Sequence, residues 1–152
     1  METQTSNISV KDLLSEIQKQ ANKNASNQKN RLKVLKEIPI NKGFRQGDVY
    51  AIRVALDHPV GKPVDKRQIV DGTTIGSRHV LIGDDIEVFE GVKCPPACKD
   101  EEKYQVGVSY AFLVKSPCTL THPEHGHFRI EEPGLYQSVV QLDMRTLQRV
   151  VD

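Results

Sequence analysis

The chain has 152 residues, a single-domain length, with 21 Lys and Arg against 20 Asp and Glu and a formal net charge of +1. A domain of this size buries ~68 to 70% of the surface its unfolded chain exposes, so a core can form without disulfides or metal. The charge balance excludes a general electrostatic pull toward nucleic acid or an anionic membrane, the absence of Trp and scarcity of other aromatics leave no stacking platform for single strands, and no apolar run reaches the roughly 18 residues needed to span a bilayer.

The N-terminus, METQTSNISV, lacks the basic and apolar regions of a secretory signal. Three cysteines, an odd number, argue against a disulfide framework. The expected location is the cytoplasm or a virus particle assembled there.

Ser9 followed by Asp12 is a variant of the capping signal, and Ile8, Leu13, Leu14 and Ile17 recur at near-helical spacing. This predicts a short amphipathic helix over residues 9–21. Residues 22–30, NKNASNQKN, hold no apolar side chain larger than Ala and read as a polar tether. A helix isolated by such a tether is marginal alone. It must dock on its own domain, a neighbouring subunit or another protein, through Ile8, Leu13, Leu14 and Ile17. Residues 1–31 therefore read as an arm, and 32–152 as the domain.

Leu32, Val34, Leu35, Ile38 and Ile40 suggest a strand broken by Pro39, and residues 43–48 a turn-rich connection. In 49–56, VYAIRVAL, Tyr50, Ile52, Val54 and Leu56 alternate and predict a strand. Residues 57–66 carry two prolines and a glycine and read as a loop. Short strands follow at 68–70, 77–82 and 86–89, with Val80 and Ile82 expected inward and His79 outward. Residues 91–103 read as a polar loop carrying CPPAC. Tyr104, Val106, Val108, Tyr110, Phe112 and Val114 alternate without a break, the clearest strand in the chain. A hairpin at 118–131 and a strand at 135–142 follow, then a tail at 144–151 with apolar residues at helical spacing. About eight short strands with regular turn signals predict a mainly β domain, an antiparallel barrel or sandwich, with the helical arm appended. The lack of strand and helix alternation excludes a doubly wound nucleotide-binding fold.

Chemistry concentrates in 118–136, CTLTHPEHGHFRIEEPGLY, which holds His122, His125 and His127. If 118–122 and 127–131 are strands joined by four residues, His122 faces His127 across the ladder, with Cβ atoms roughly 4.5 to 5.5 Å apart. Phe128 and Ile130 then belong to the core and the histidine pair to the outer face. Neutral imidazoles bind zinc and other transition metals, so His122, His127, His125 and His79 form a candidate metal set, with Glu124 as an added carboxylate. The competing reading is solvated surface histidines. A pair such as His79 and His122 could also divide acid and base work, with Arg78 or Arg129 near a developing anion. Cys94, Cys98 and Cys118 suit a zinc knuckle by ligand type, but the usual second pair at short spacing is missing. Cys94 and Cys98 could also form a loop disulfide or remain thiols.

The segments QGDVY at 46–50, GSRHVL at 76–81 and THPEHGHFRIEEPGLYQ at 121–137 resemble a group of short uncharacterised bacterial and phage proteins. That group shares a Gly-Asp strand opening, a Gly-to-His strand and a His-x-x-His hairpin before Pro-Gly-x-Tyr. The resemblance covers 46–137, implies no established activity and implies a phage-related origin. Such relatives place a second His near the one at 79, where this chain has Ser77.

The expected function is a non-enzymatic structural or assembly module of phage-related origin without a cofactor, whose arm holds a protein partner or a second copy. The alternative is a metal-binding protein or metal-dependent enzyme centred on the hairpin histidines.

Overall fold

The computed structural model describes residues 14–15, 32–98 and 105–142. Among them the fold is mainly β, with ten strands in two sheets. One sheet has the order β1 (Lys33–Leu35), β9 (Phe128–Ile130), β8 (Cys118–Thr121), β5 (Val80–Ile82). The other has the order β2 (Gly43–Gln46), β3 (Val49–Val54), β10 (Gly134–Leu142), β7 (Gln105–Val114), β6 (Ile86–Gly91), β4 (Val60–Val64). Neither closes on itself, so the barrel form of the expectation is replaced by two open sheets. Pairing is antiparallel except for β1, which runs parallel to β9.

The expected helix and tether over 9–30 lie outside the described residues, apart from Leu14 and Ser15, whose backbone is helical; Leu14 is 55% exposed. Tyr104 and the tail over 144–151 also lie outside them.

One apolar cluster draws on both sheets. Ala51, Phe112 and Tyr136 come from the six-stranded sheet and Leu81, Leu120 and Ile130 from the other, each no more than 2% exposed. Burying side chains of this kind contributes about 1.5 to 3 kcal/mol each, which sets which face of every strand turns inward. Phe112 stacks on Tyr136 with ring centroids 5.3 Å apart, and the Tyr136 hydroxyl donates to the Glu132 carbonyl at 2.7 Å. Burial pushes that hydroxyl's pKa well above the usual phenol value. A second cluster, Val54, Ala111 and Leu135 with Leu113 and Phe89, lies on the alternate positions of the same strands. This explains why β3 and β7 carry small or apolar residues where strict alternation would place polar ones.

The expected strand at 68–70 is only an isolated bridge from Gln68 to Val80, and the expected strand at 77–82 shortens to β5 after a 3-10 turn at Ile75–Ser77. Two further segments gain strands. Residues 43–48 were expected as a connection; they instead form β2 and a two-residue turn, Gly47-Asp48, into β3, with Gln46 paired to Val49. Gly47, at φ 60°, supplies the left-handed angle a tight hairpin needs at its first loop position. Residues 57–66, expected as a loop, contain β4. It is an edge strand, the position where proline is tolerated because one side of the backbone needs no partner, and its pairing slips between Val60 and Pro63.

The β2–β3 hairpin also fixes a prediction. A Cβ added at Gly43 would sit 1.9 Å from the Ala51 carbonyl oxygen, a rigid backbone atom. Gly43→Ala is expected to destabilise the fold by on the order of 2 kcal/mol, the usual scale of overpacking. Urea unfolding checks this, and an unchanged midpoint would show that the hairpin can shift freely.

Candidate functional site

The β8–β9 pairing sets Leu120 opposite Phe128 and Thr119 opposite Arg129. This register is one residue away from the one expected, and a one-residue slip exchanges the two faces of a strand. Phe128 and Ile130 do face the core, but Cys118, Leu120 and His122 share it with them, and His122 is 2% exposed. It does not face outward, and it is not the ladder partner of His127.

The same reversal holds before β5. His79 is fully buried at 0% and Leu81 at 2%, while Ile82 is 54% exposed. The expected inward and outward sets are exchanged. Because both side chains turn inward, His79 and His122 meet, with ring centroids 4.4 Å apart. His125 continues the series, 4.5 Å from His122. His127 stays half-buried beside them, its ring hydrogen-bonded to the His122 backbone.

Two residues that sequence reasoning left out of the candidate set complete the cluster. Gln46, 1% exposed at the end of β2, donates from Nε2 to the Leu120 carbonyl at 3.0 Å and the Gly126 carbonyl at 2.8 Å. The two carbonyls fix the amide orientation, so Oε1 accepts from His79 Nδ1 at 2.8 Å. Asp48, 5% exposed, then places Oδ1 3.4 Å from His79 Nε2. With Nδ1 already donating, the His79–Asp48 contact requires one further proton, on the imidazole or on the carboxyl. The sequence did carry a signal for both residues, a Gln and an Asp flanking the glycine of QGDVY, but strand periodicity does not show which way turn side chains point.

His122 is held by backbone. Its Nε2 lies 3.2 Å from the Gly76 carbonyl, and its Nδ1 accepts from the amides of Glu124 and His125 at 3.0 and 3.2 Å. The ring thereby shapes the turn from Pro123 to Gly126, the role an Asn or Asp side chain plays in other turns. Both nitrogens of both buried rings thus have internal partners. Gln46 bonds across from the six-stranded sheet to β8, so the network ties the two sheets together.

Burial holds the pKa values of His122 and His127 below the ordinary imidazole range. Unfolded, both take up a proton near ~6.5, so the unfolded chain binds more protons below that value. The stability this contributes is fully present above about pH 6.5 and is lost as pH falls through the depressed folded values. The urea midpoint is expected to be lower at pH 5 than at pH 7.5, with a smaller difference in His127→Gln. Equal pH dependence in the variant would remove His127 from this account.

Among the described residues no group of three or more His, Cys, Asp or Glu is arranged to hold an ion. Cys118 lies in the core, its thiol pushed up to about 11 by burial, and does not join the other two cysteines. Cys94 and Cys98 hydrogen-bond one another across the 3-10 turn of Pro96–Cys98, and burial raises the Cys94 pKa. Of the proposed docking residues only Leu14 is described; Ile8, Leu13 and Ile17 lie outside. Arg129 pairs with Glu131 at 3.4 Å.

The fold and site define a small two-sheet β domain with a buried, internally satisfied histidine cluster. No helix among the described residues is long and apolar enough to cross a membrane. The chain belongs to the family described as a domain of unknown function, DUF8820, whose model matches residues 45–141. That span starts just before Gln46 and contains the whole cluster. No curated protein and no solved structure matches the chain.

Proposed function

We propose that this chain is a non-enzymatic structural or assembly module whose N-terminal arm docks on a neighbouring subunit or another protein. The observation that carries the reading is the state of the histidines. His79 and His122 are 0% and 2% exposed and their ring nitrogens are engaged within the molecule, so the cluster with the most chemical capacity serves to join the sheets. A buried polar network of this kind favours one arrangement of the core, because a partly satisfied alternative is costly. The resemblance of 46–137 to bacterial and phage proteins supports a role in particle assembly.

Metal binding is the second reading, favoured by one observation: three imidazoles in series, each tilted against the next, with a carboxylate 3.4 Å from the first. An ion there would have to displace the partners of His79 or His122.

A native mass measurement separates the two, because it reports oligomer and bound ion together. The assembly reading expects a concentration-dependent oligomer without stoichiometric metal, dissociated by proteolysis at residues 22–30. A monomer carrying one equivalent of zinc, lost in His122→Ala, would replace it with the metal reading.

A further inference from the structure

We propose that Cys94 and Cys98 form a reversible thiol–disulfide site, oxidised to an intramolecular disulfide by small disulfides of the glutathione class and reduced again by the corresponding thiols.

The local sequence builds the pair. After β6 ends at Gly91 the chain reads Val-Lys-Cys-Pro-Pro-Ala-Cys, and the Cys98 amide donates to the Pro95 carbonyl at 2.9 Å beside the 3-10 turn of Pro96–Cys98. Pro95 is buried and seats the turn, while Pro96 and Ala97 at its crest are exposed. Two consecutive prolines fix φ twice and leave the segment few other conformations. The turn brings Cys98 back beside Cys94, and the two side chains hydrogen-bond one another. Sulfurs in that contact close to the ~2.05 Å of a disulfide by side-chain rotation, without the backbone movement that distant cysteines require. The root of the loop is also held, because His58 Nε2 lies 3.0 Å from the Lys93 carbonyl.

Exposure separates this pair from the third cysteine. Cys94 and Cys98 are both half-buried thiols within reach of a dissolved reagent, whereas Cys118 is 1% exposed in the core. The chain thus carries its own unreactive reference. A bond from Cys94 to Cys98 closes a very short loop, which constrains the unfolded chain far less than a long one. Accessible disulfides that add little stability are the readily reduced ones, so the site is reversible rather than a structural staple.

The exchange runs in two steps. One loop thiol gives its proton to solvent and its thiolate attacks a sulfur of the small disulfide, breaking that S–S bond and releasing one small thiolate. The second loop thiol loses its proton and attacks the first cysteine's sulfur, which breaks the mixed disulfide and releases the other small thiolate. The released thiolates take up the two protons. The two cysteines have lost two electrons and the small disulfide has gained them. Because the second attack is intramolecular and its partner is already in place, the mixed disulfide is resolved rather than accumulated.

The test places the full chain in glutathione buffers from fully reduced to fully oxidised, quenches with an alkylating reagent and reads each cysteine by peptide mass, as wild type, Cys94→Ser and Cys98→Ser. In the wild type, the peptide holding Cys94 and Cys98 is expected to lose two hydrogens in oxidising buffer and to regain them in reducing buffer. Cys118 is expected to stay reduced and, in the folded chain, to alkylate at least about tenfold more slowly than the pair. Each single variant is expected to keep one glutathione on its remaining loop cysteine. A wild type that stays reduced in every buffer, or that accumulates glutathione on both loop cysteines, overturns the site. Alkylation of Cys118 as fast as the pair overturns the assignment of reactivity to the loop.

Discussion

Replacing Gln46 by Ala is expected to be among the most damaging single changes in the domain, although the side chain is polar. It removes a partner of two buried groups and one half-buried group at once: the Leu120 carbonyl, His79 Nδ1 and the Gly126 carbonyl. An orphaned buried group costs about 1 to 3 kcal/mol, so the sum is on the order of 3 kcal/mol even if water relieves one of them. Chemical denaturation measures it directly. The assignment to a network is checked by a double-mutant cycle with His79→Ala, since residues sharing partners do not add. Additive losses would show that Gln46 and His79 act separately.

Phe112→Ala should lower stability by about 3 to 5 kcal/mol, the range for truncating a buried aromatic side chain. Phe112 is completely buried, stacks on Tyr136 and lies in the strand paired on both sides by β6 and β10. Against a total of about 5 to 15 kcal/mol for a domain, the variant is left marginal or unfolded at physiological temperature. Thermal unfolding is expected to shift by on the order of 15 °C. Val108→Ala on the same strand is the control: Val108 is 36% exposed, so its truncation should cost far less. Equal shifts would mean that burial along β7 does not govern stability.

Much of the β content was legible from residue order, and the reasons differ by segment. The run from Val108 to Val114 alternates because one face of β7 meets the other sheet, and Phe112 and Val114 lie where alternation places them. β4 was hidden by Pro63, which marks a loop in the middle of a sheet but is tolerated at its edge. The hairpin histidines show a subtler failure. The pattern from Cys118 to Ile130 fits two registers that differ by one residue, and the turn decides between them. That turn is built on His122 Nδ1 accepting two amides, a contact that no hydropathy pattern encodes. Once the register moves, His122 turns inward and no longer stands opposite His127. The same information explains why residue order could name His79 and His122, 43 positions apart, as a pair without showing that they touch.

The outermost strand β4 bears on how copies of this protein can associate. Its sequence, Val-Gly-Lys-Pro-Val, places a cation and a residue without an amide hydrogen on the rim of the larger sheet. An incoming chain finds an interrupted row of donors and a charge to bury, so endless strand-by-strand growth is blocked along that border. Contacts between molecules are thereby diverted from backbone templating, which is indiscriminate, to side chains fitting side chains, which can be selective.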